Sequence, residues 1–364
     1  MTKPVPPADF LRPSPVCTVR TEYGLPQAID RVAERAAQTH RFLRRQWFQA
    51  AVDSYGGVPR TIVVERDGAP ILALPIVSAG PRPVKLVQIP GAYWPFRSFP
   101  VREATLGATY GLALREMAAQ ANVLRIGPVY DDDASAMPLI AAARAAGWIA
   151  VSRYIATSHL LDIVAMRAAG PWPRRSTLKK NRFHEKHLGG YGRLDWDFHS
   201  GADWMPRLFE ALADVERASW IDADTDGRDA KFTATGHGAF WRAVATDPVL
   251  AEMMWAAVLR VDHRPIAFSF DINVGTRKFA IANSYASWAG KHSPGKLLYY
   301  RNLMRGADDG IQTVDWGAGD GGYKATIGAD AGPAIRDWLL LRPGLPAVLG
   351  RIFAGVWRRS GNRA

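Results

Sequence analysis

Cysteine is almost missing: Cys17 is the single one among 364 residues. It can form no disulfide within the chain and no multi-cysteine zinc site, and its place in a Pro-rich leader reads as packing instead of a catalytic thiol. Long apolar runs are missing too. No stretch reaches the roughly 18 apolar residues of a membrane span, and the opening MTKPVPPADFLRPSP lacks the continuous apolar core of a secretory signal. A cytoplasmic protein is the expectation. Neither H-E-x-x-H nor G-x-S-x-G occurs. The eight His are scattered, and His184 and His187 lie in a basic segment without carboxylate support, so no metal site or nucleophile triad stands out.

Acidic residues are outnumbered. Forty-six Lys and Arg against 34 Asp and Glu give a net charge of +12, which favours anionic partners: phosphorylated cofactors, phospholipid surfaces or nucleic acid. Sequence-specific nucleic-acid binding has little support, because the basic segment lacks a helix-turn-helix context and no aromatic platform accompanies it. A hydrophobic fraction of 48% with 22% charged residues is that of a globular chain with a real core, and this length suggests two packed units of roughly 150 residues each.

Residues 25–55 carry helical spacing at Ala28, Val32, Ala36, Phe42, Leu43 and Trp47, closed by Gly56 and Gly57. Two β-branched runs, Thr61–Glu65 and Ile71–Val77, then flank Asp67-Gly68 as a hairpin. A second hairpin of the same design turns at Asp262-His263-Arg264, so that Asp67-Gly68-Ala69-Pro70-Ile71 matches Asp262-His263-Arg264-Pro265-Ile266. Each is followed by a helix and a short strand, Thr109–Ala121 with Val123–Val129 and Lys296–Asp309 with Thr313–Trp316, which reads as an internal repeat. The first unit adds a helix at Ala134–Ala146 and a strand near Ile149–Leu161; residues 203–219 and 236–247 look helical in the second. The resulting division is a leader (1–20), a first domain (21–165), a second domain (166–340) and a basic tail (341–364). In the tail, Leu345–Trp357 mixes apolar residues with Arg342, Arg351, Arg358 and Arg359, and no acid follows Asp337. It reads either as a helix packed on the domain with a basic outer face or as a peripheral contact with an anionic inner-membrane surface.

Three segments carry candidate chemistry. RRSTLKKNRFHEKHLGGYG reads as a helix capped by Ser176 and stopped by Gly189 and Gly190. In it Arg175, Lys179, Arg182 and Lys186 form a cationic stripe suited to an anionic ligand, or a solvated face. In HSPGKLLYYRNL, Ser293, Pro294 and Gly295 begin a helix whose free N–H groups, with Lys296, can receive a pyrophosphate. In DWGAGDGGYKATIG, Gly317, Gly319 and Gly322 match a dinucleotide-binding spacing, but no βαβ unit follows. These glycines instead shape a loop bringing Asp315, Tyr323 and Lys324 to a ligand.

These segments, with VERASW (Glu216, Trp220), RPIAFSFDI and DGIQTVDWGAGDGGYK, resemble in order the CelD-like, or BioF2-like, acetyltransferase family, a FemAB-related branch of the GNAT superfamily. The likeness spans about residues 174–328. It implies a mixed α/β (α+β) fold of tandem GNAT-like acyltransferase domains, each a mainly antiparallel mixed sheet flanked by helices. The later domain would bind acyl-CoA and the cleft between domains would admit the acceptor. On the matching positions, Ser293, Gly295 and Lys296 belong near the CoA phosphates. Asp315, Tyr323 and Lys324 belong beside the reacting centre, and Lys179, Arg182 and Trp220 toward the substrate.

The implied reaction is direct attack of an amine, or of a hydroxyl, on the thioester. Asp315 or Glu216 would serve as base and Tyr323 as acid, with a backbone N–H near Phe268, Ser269 and Phe270 polarising the carbonyl. The acceptor classes are a sugar nucleotide, a polysaccharide precursor or a lipid amine. A Fem-like aminoacyl-tRNA-dependent ligase and a non-catalytic accessory protein of envelope polysaccharide assembly are the alternatives. Trp220, Trp255, Trp288 and Trp316 either line a sugar or lipid pocket or fill the core.

Overall fold

In the computed structural model, described for residues 16–91, 96–105, 107–219, 227–319 and 322–360, the chain lays down one series of elements twice. The first series runs β1 (Cys17–Tyr23), α1 (Ala28–Ala33), α2 (Arg45–Tyr55), β2 (Pro59–Arg66), β3 (Ala69–Ala79), β4 (Leu86–Gln88), α3 (Gly107–Gln120), β5 (Val123–Tyr130), α4 (Ala136–Ala145) and β6 (Ile149–Asp162). Two helices, α5 (Ile163–Ala169) and α6 (Arg175–Leu188), lead into the second: β7 (Leu194–His199), α7 (Pro206–Arg217), α8 (Gly238–Val244), α9 (Pro248–Met253), β8 (Met254–Val261), β9 (Arg264–Val274), β10 (Arg277–Tyr285), α10 (Pro294–Asp308), β11 (Thr313–Asp315), α11 (Tyr323–Ile327) and β12 (Asp330–Leu341). Helix α12 (Leu345–Ser360) follows.

The repeat read from the two hairpins holds in detail. Asp67 and Gly68 have φ of 51° and 76°, Asp262 and His263 of 45° and 67°, the left-handed pair that lets a two-residue turn follow the twist of its strands. Both hairpins also slip register at the same place, between Val64 and Glu65 opposite Pro70 and between Leu259 and Arg260 opposite Pro265.

All twelve strands form one sheet in the order β1-β2-β3-β4-β5-β12-β6-β11-β10-β9-β8-β7. The last strand of each series is exchanged: β12 lies between β5 and β6, and β6 pairs with β11. The result is a mixed α/β fold of two halves built alike, with a sheet that is antiparallel except where β4 meets β5 and β10 meets β11. One aromatic core crosses the join, with Trp47 against Phe240 at 5.0 Å and Phe96 against Phe279 at 5.1 Å. Burial of each such side chain contributes about 1.5–3 kcal/mol.

Several local expectations change. The helix expected over 25–55 breaks into α1, a 3-10 turn at Gln38–His40 and α2, because His40 is pulled inward to a hydrogen bond with Asp133 at 3.1 Å. The basic helix is capped by Arg174 and not by Ser176, which lies inside its first turn without a capping bond. Cys17 opens β1, half-buried, instead of lying in a leader; residues 1–15 of that leader fall outside the described residues. Among the described side chains of α12, Leu345, Val348, Ile352 and Val356 are exposed together with Arg358 and Arg359. Among the described residues no helix is long and apolar enough to cross a membrane.

Candidate functional site

The two parallel pairs reach matching forks. In the second half, β10 and β11 pair only from Arg277–Thr313 to Phe279–Asp315. Beyond that, β10 stays with β9 as far as Tyr285–Ala267. The other strand stays with β6, through Trp316 N–H to His159 O (2.9 Å) and His159 N–H to Gly317 O (3.2 Å). The strands diverge, a bulge between Ala280 and Ala282 sharpens the bend, and residues 281–285 present an edge with no strand beside it among the described residues.

In the first half the same fork is filled. Pro100 O receives the Ala73 N–H of β3 (3.2 Å) and Arg97 O receives the Gly127 N–H of β5 (3.2 Å), so the Arg97–Pro100 backbone bridges the gap. Gly317, the counterpart of Gly127, donates its N–H instead to the Asp315 carboxylate at 2.8 Å. Asp315 is 2% exposed. Its second oxygen faces the Tyr130 phenol without a well-formed hydrogen bond. Burial pushes the Asp315 carboxyl above the ordinary range, opposed by the Gly317 N–H, Tyr130, Arg277 and Lys324.

Helix α10 starts beside the open fork. Pro294 has no N–H, and the N–H groups of Gly295 and Lys296 precede the first helical carbonyl that can take them, so the positive end of the helix faces outward. Ser293 takes a left-handed conformation there (φ 52°) and bonds Gly290 O through its N–H. Gly295 is closely packed: a Cβ would lie 2.7 Å from Asn283 Oδ1 and 3.0 Å from the Tyr285 ring. Burial and Lys180 hold the Lys296 amine below the usual lysine range. His184 and His292 are lowered in turn, by desolvation first and then by their cationic neighbours. Helices α6 and α10 and the 3-10 turn Ser287–His292 thus gather Lys180, His184, His292 and Lys296 around one helix start.

The structure separates the remaining candidates. Tyr323 lies on the α10 side of the sheet, its ring 6.1 Å from Trp316 and 6.2 Å from Tyr299. Asp315 is paired with Phe279 and shares the opposite face. Lys324 is buried and donates to the carbonyls of Trp316, Gly317 and Ala318 at 2.8–3.3 Å, which fixes the loop after β11. The Glu216 carboxylate receives the N–H groups of Lys231 (2.6 Å) and Phe232 (2.8 Å), and burial pushes it above the ordinary range against those bonds. Phe268, Ser269 and Phe270 are paired on both sides, to β8 and β10, so their N–H groups belong to the sheet; the open edge is on β10. The Ser269 hydroxyl joins Asp271, Lys278, Asn302 and Trp255 in a buried network beneath α10. Lys179 and Arg182 are exposed with Arg175 and Lys186, on the face of α6 turned from α10. Trp220 lies outside the described residues.

A second polar group escaped the sequence reading. A cavity of about 230 Å³ between the halves is lined by His40, Ser98, Tyr130, Asp132, Asp133 and Arg277, among others. Asp133 accepts from His40 (3.1 Å), Ser98 (2.9 Å) and the N–H groups of Ser135 (3.0 Å) and Ala136 (2.7 Å). Burial alone would raise its carboxyl, but His40 and these bonds hold it below the ordinary range. The other ring nitrogen of His40 meets Thr39 Oγ1 at 3.1 Å. The acidic run Asp131–Asp133 in a basic chain was the one available signal. Among the described residues no group of three or more His, Cys, Asp or Glu is placed to hold a metal ion.

Residues 174–325 match the family model of the acetyltransferase (GNAT) domain. That segment contains the open fork, α6, α10 and Tyr323. No curated protein matches the chain. Among solved structures, FemX aligns over 92% of this chain and 100% of its own at 11% identity and a TM-score of 0.61. A conserved protein of unknown function from Bacteroides thetaiotaomicron aligns over 88% and 99% at 12% identity and 0.56. The C-terminal domain of a putative lysylphosphatidylglycerol synthetase from Agrobacterium fabrum aligns over 93% and 97% at 15% identity and 0.55. These likenesses establish a shared fold across both halves.

Proposed function

We propose that the protein is an acyl-CoA-dependent N-acyltransferase whose donor lies in the fork between β10 and β11. The observation that carries this reading is the open β10 edge ending at a helix start ringed by Lys180 and Lys296. A pantetheine arm has amides that can pair with an exposed strand edge, and its pyrophosphate matches a positive helix start. The acceptor enters from the cavity between the halves. Arg277 lines that cavity near Asp132 and makes no ion pair among the described residues, which favours an amine whose molecule also carries an anionic group, as a sugar nucleotide or polysaccharide precursor does, over a simple lipid amine.

In this arrangement Asp315, with its raised carboxyl, takes the proton of the attacking amine, and the Tyr323 phenol on the far side of the fork protonates the leaving thiolate. His40, held by Asp133, keeps the acceptor wall polar and rigid. Calorimetry with acetyl-CoA and a long-chain acyl-CoA tests the reading. Saturable binding, weakened about tenfold or more in Lys296→Ala through loss of a charge-assisted contact, is the expected result, and the preferred chain length separates small-group from lipid-acyl transfer. Absence of binding to either ligand would transfer the reading to an aminoacyl-tRNA donor or to a non-catalytic accessory role.

A further inference from the structure

Helix α12 is amphipathic the wrong way round for a helix that only packs on its domain. Among its described side chains the inner face is small: Ala347 and Ala354 are each 8% exposed, and a Cβ on Gly350 would come within 2.3 Å of the Leu341 side chain. Trp357 anchors the far end, with the Arg153 guanidinium 3.9 Å and that of Arg125 5.6 Å from its ring. Four large aliphatic residues point outward. Leu345, Val348, Ile352 and Val356 recur at i, i+3, i+7 and i+11, one stripe, and are 70%, 58%, 69% and 62% exposed. Beside the helix lies a hollow of about 790 Å³ walled by Val84, Leu86, Val123, Leu339, Leu341 and Trp357, so the apolar surface continues onto the body.

The charges around this surface have one sign. Arg82 and Lys85 flank exposed Val84 at one end, Arg358 and Arg359 close the helix at the other, and no acidic residue lines the hollow or follows Asp337. Asp337 itself is fully buried between Arg125 (2.7 Å) and Arg153 (2.8 Å) and offers nothing to the surface. A contiguous aliphatic stripe framed by cations matches an anionic bilayer, where the stripe reaches the acyl boundary and the cations meet headgroup phosphates.

We infer that α12, with the Val84 turn, docks the protein on an anionic membrane surface. The helix lies in the interface and does not span it. The contact is independent of the donor fork and would bring the enzyme to a membrane-borne acceptor or donor.

Co-sedimentation of the full chain with vesicles tests this, comparing phosphatidylcholine alone with an equal mixture of phosphatidylcholine and phosphatidylglycerol. Binding to the mixed vesicles only, weakened by salt, is expected. Ile352→Asp and Val348→Asp should each lower the partition by about tenfold or more, and Arg358→Ala with Arg359→Ala by several-fold; these side chains are exposed, so an unchanged melting curve separates lost docking from lost folding. Failure of the native chain to bind mixed vesicles would overturn the inference. So would a dimer in sedimentation velocity that Ile352→Asp dissociates, which would assign the stripe to a second copy of the chain.

Discussion

The two halves of the sheet come to the same fork and resolve it in opposite ways. In the first, the Gly127 N–H is taken by the Arg97 backbone and the gap is bridged. In the second, the Gly317 N–H is turned back onto Asp315 and the gap stays open. Their undersides differ in step. The shared hairpin register puts Ile76 of the first half where Asp271 stands in the second, and Asp271 is bound to Lys278 at 2.8 Å with both side chains 1% exposed. The same scaffold thus closes the fork in one half and leaves it open in the other, and a few backbone partners make the difference.

The largest effect should come from erasing that polar underside. Asp271→Ile strands the Lys278 amine in the core and should cost about 3–5 kcal/mol in denaturant unfolding; Asp271→Ile with Lys278→Met should recover most of the loss. Next, the open fork alone should bind donor. Calorimetry should give a single acyl-CoA per chain, and Lys296→Glu should weaken it by about tenfold to a hundredfold; a second site in the first half would break the comparison.

A smaller effect concerns pH. His184 and His292 sit below the ordinary imidazole value of about 6.5 and are neutral near pH 7. Protonation adds positive charge around an anion, so acyl-CoA affinity should rise a few-fold as the pH falls from neutrality through the lowered imidazole range, and the gain should shrink in His184→Gln. The smallest effect is expected from Lys179→Ala and Arg182→Ala, whose side chains face solvent: less than about a twofold change in affinity.

Much of this fold was legible because its signals are local. Asp67-Gly68 and Asp262-His263 announce their hairpins within a few residues, and the Ser-Pro-Gly start of α10 is a property of its own turn. The exchange of β6 and β12 has no such signal: a strand near Ile149–Leu161 is legible, but no local feature names its neighbour, and Asp330–Leu341 carries polar residues and a Gly-Pro that mask its strand. The open edge of β10 is likewise a missing partner, visible only once β11 is seen to leave with β6. The cationic stripe of α6 is legible as a stripe but not in its direction: charge spacing fixes which residues share a face, whereas Asn181 and Leu188, buried on the other side, decide which face looks inward. His40, Asp133 and Arg277 come from distant segments, and no spacing rule joins them.

Amide hydrogen exchange with and without acyl-CoA tests the asymmetry most directly. The account predicts added protection at residues 281–285, at 293–297 and at 316–318, with none at 97–101 or 123–127. Protection of the first-half fork, or none at the β10 edge and the start of α10, would contradict it.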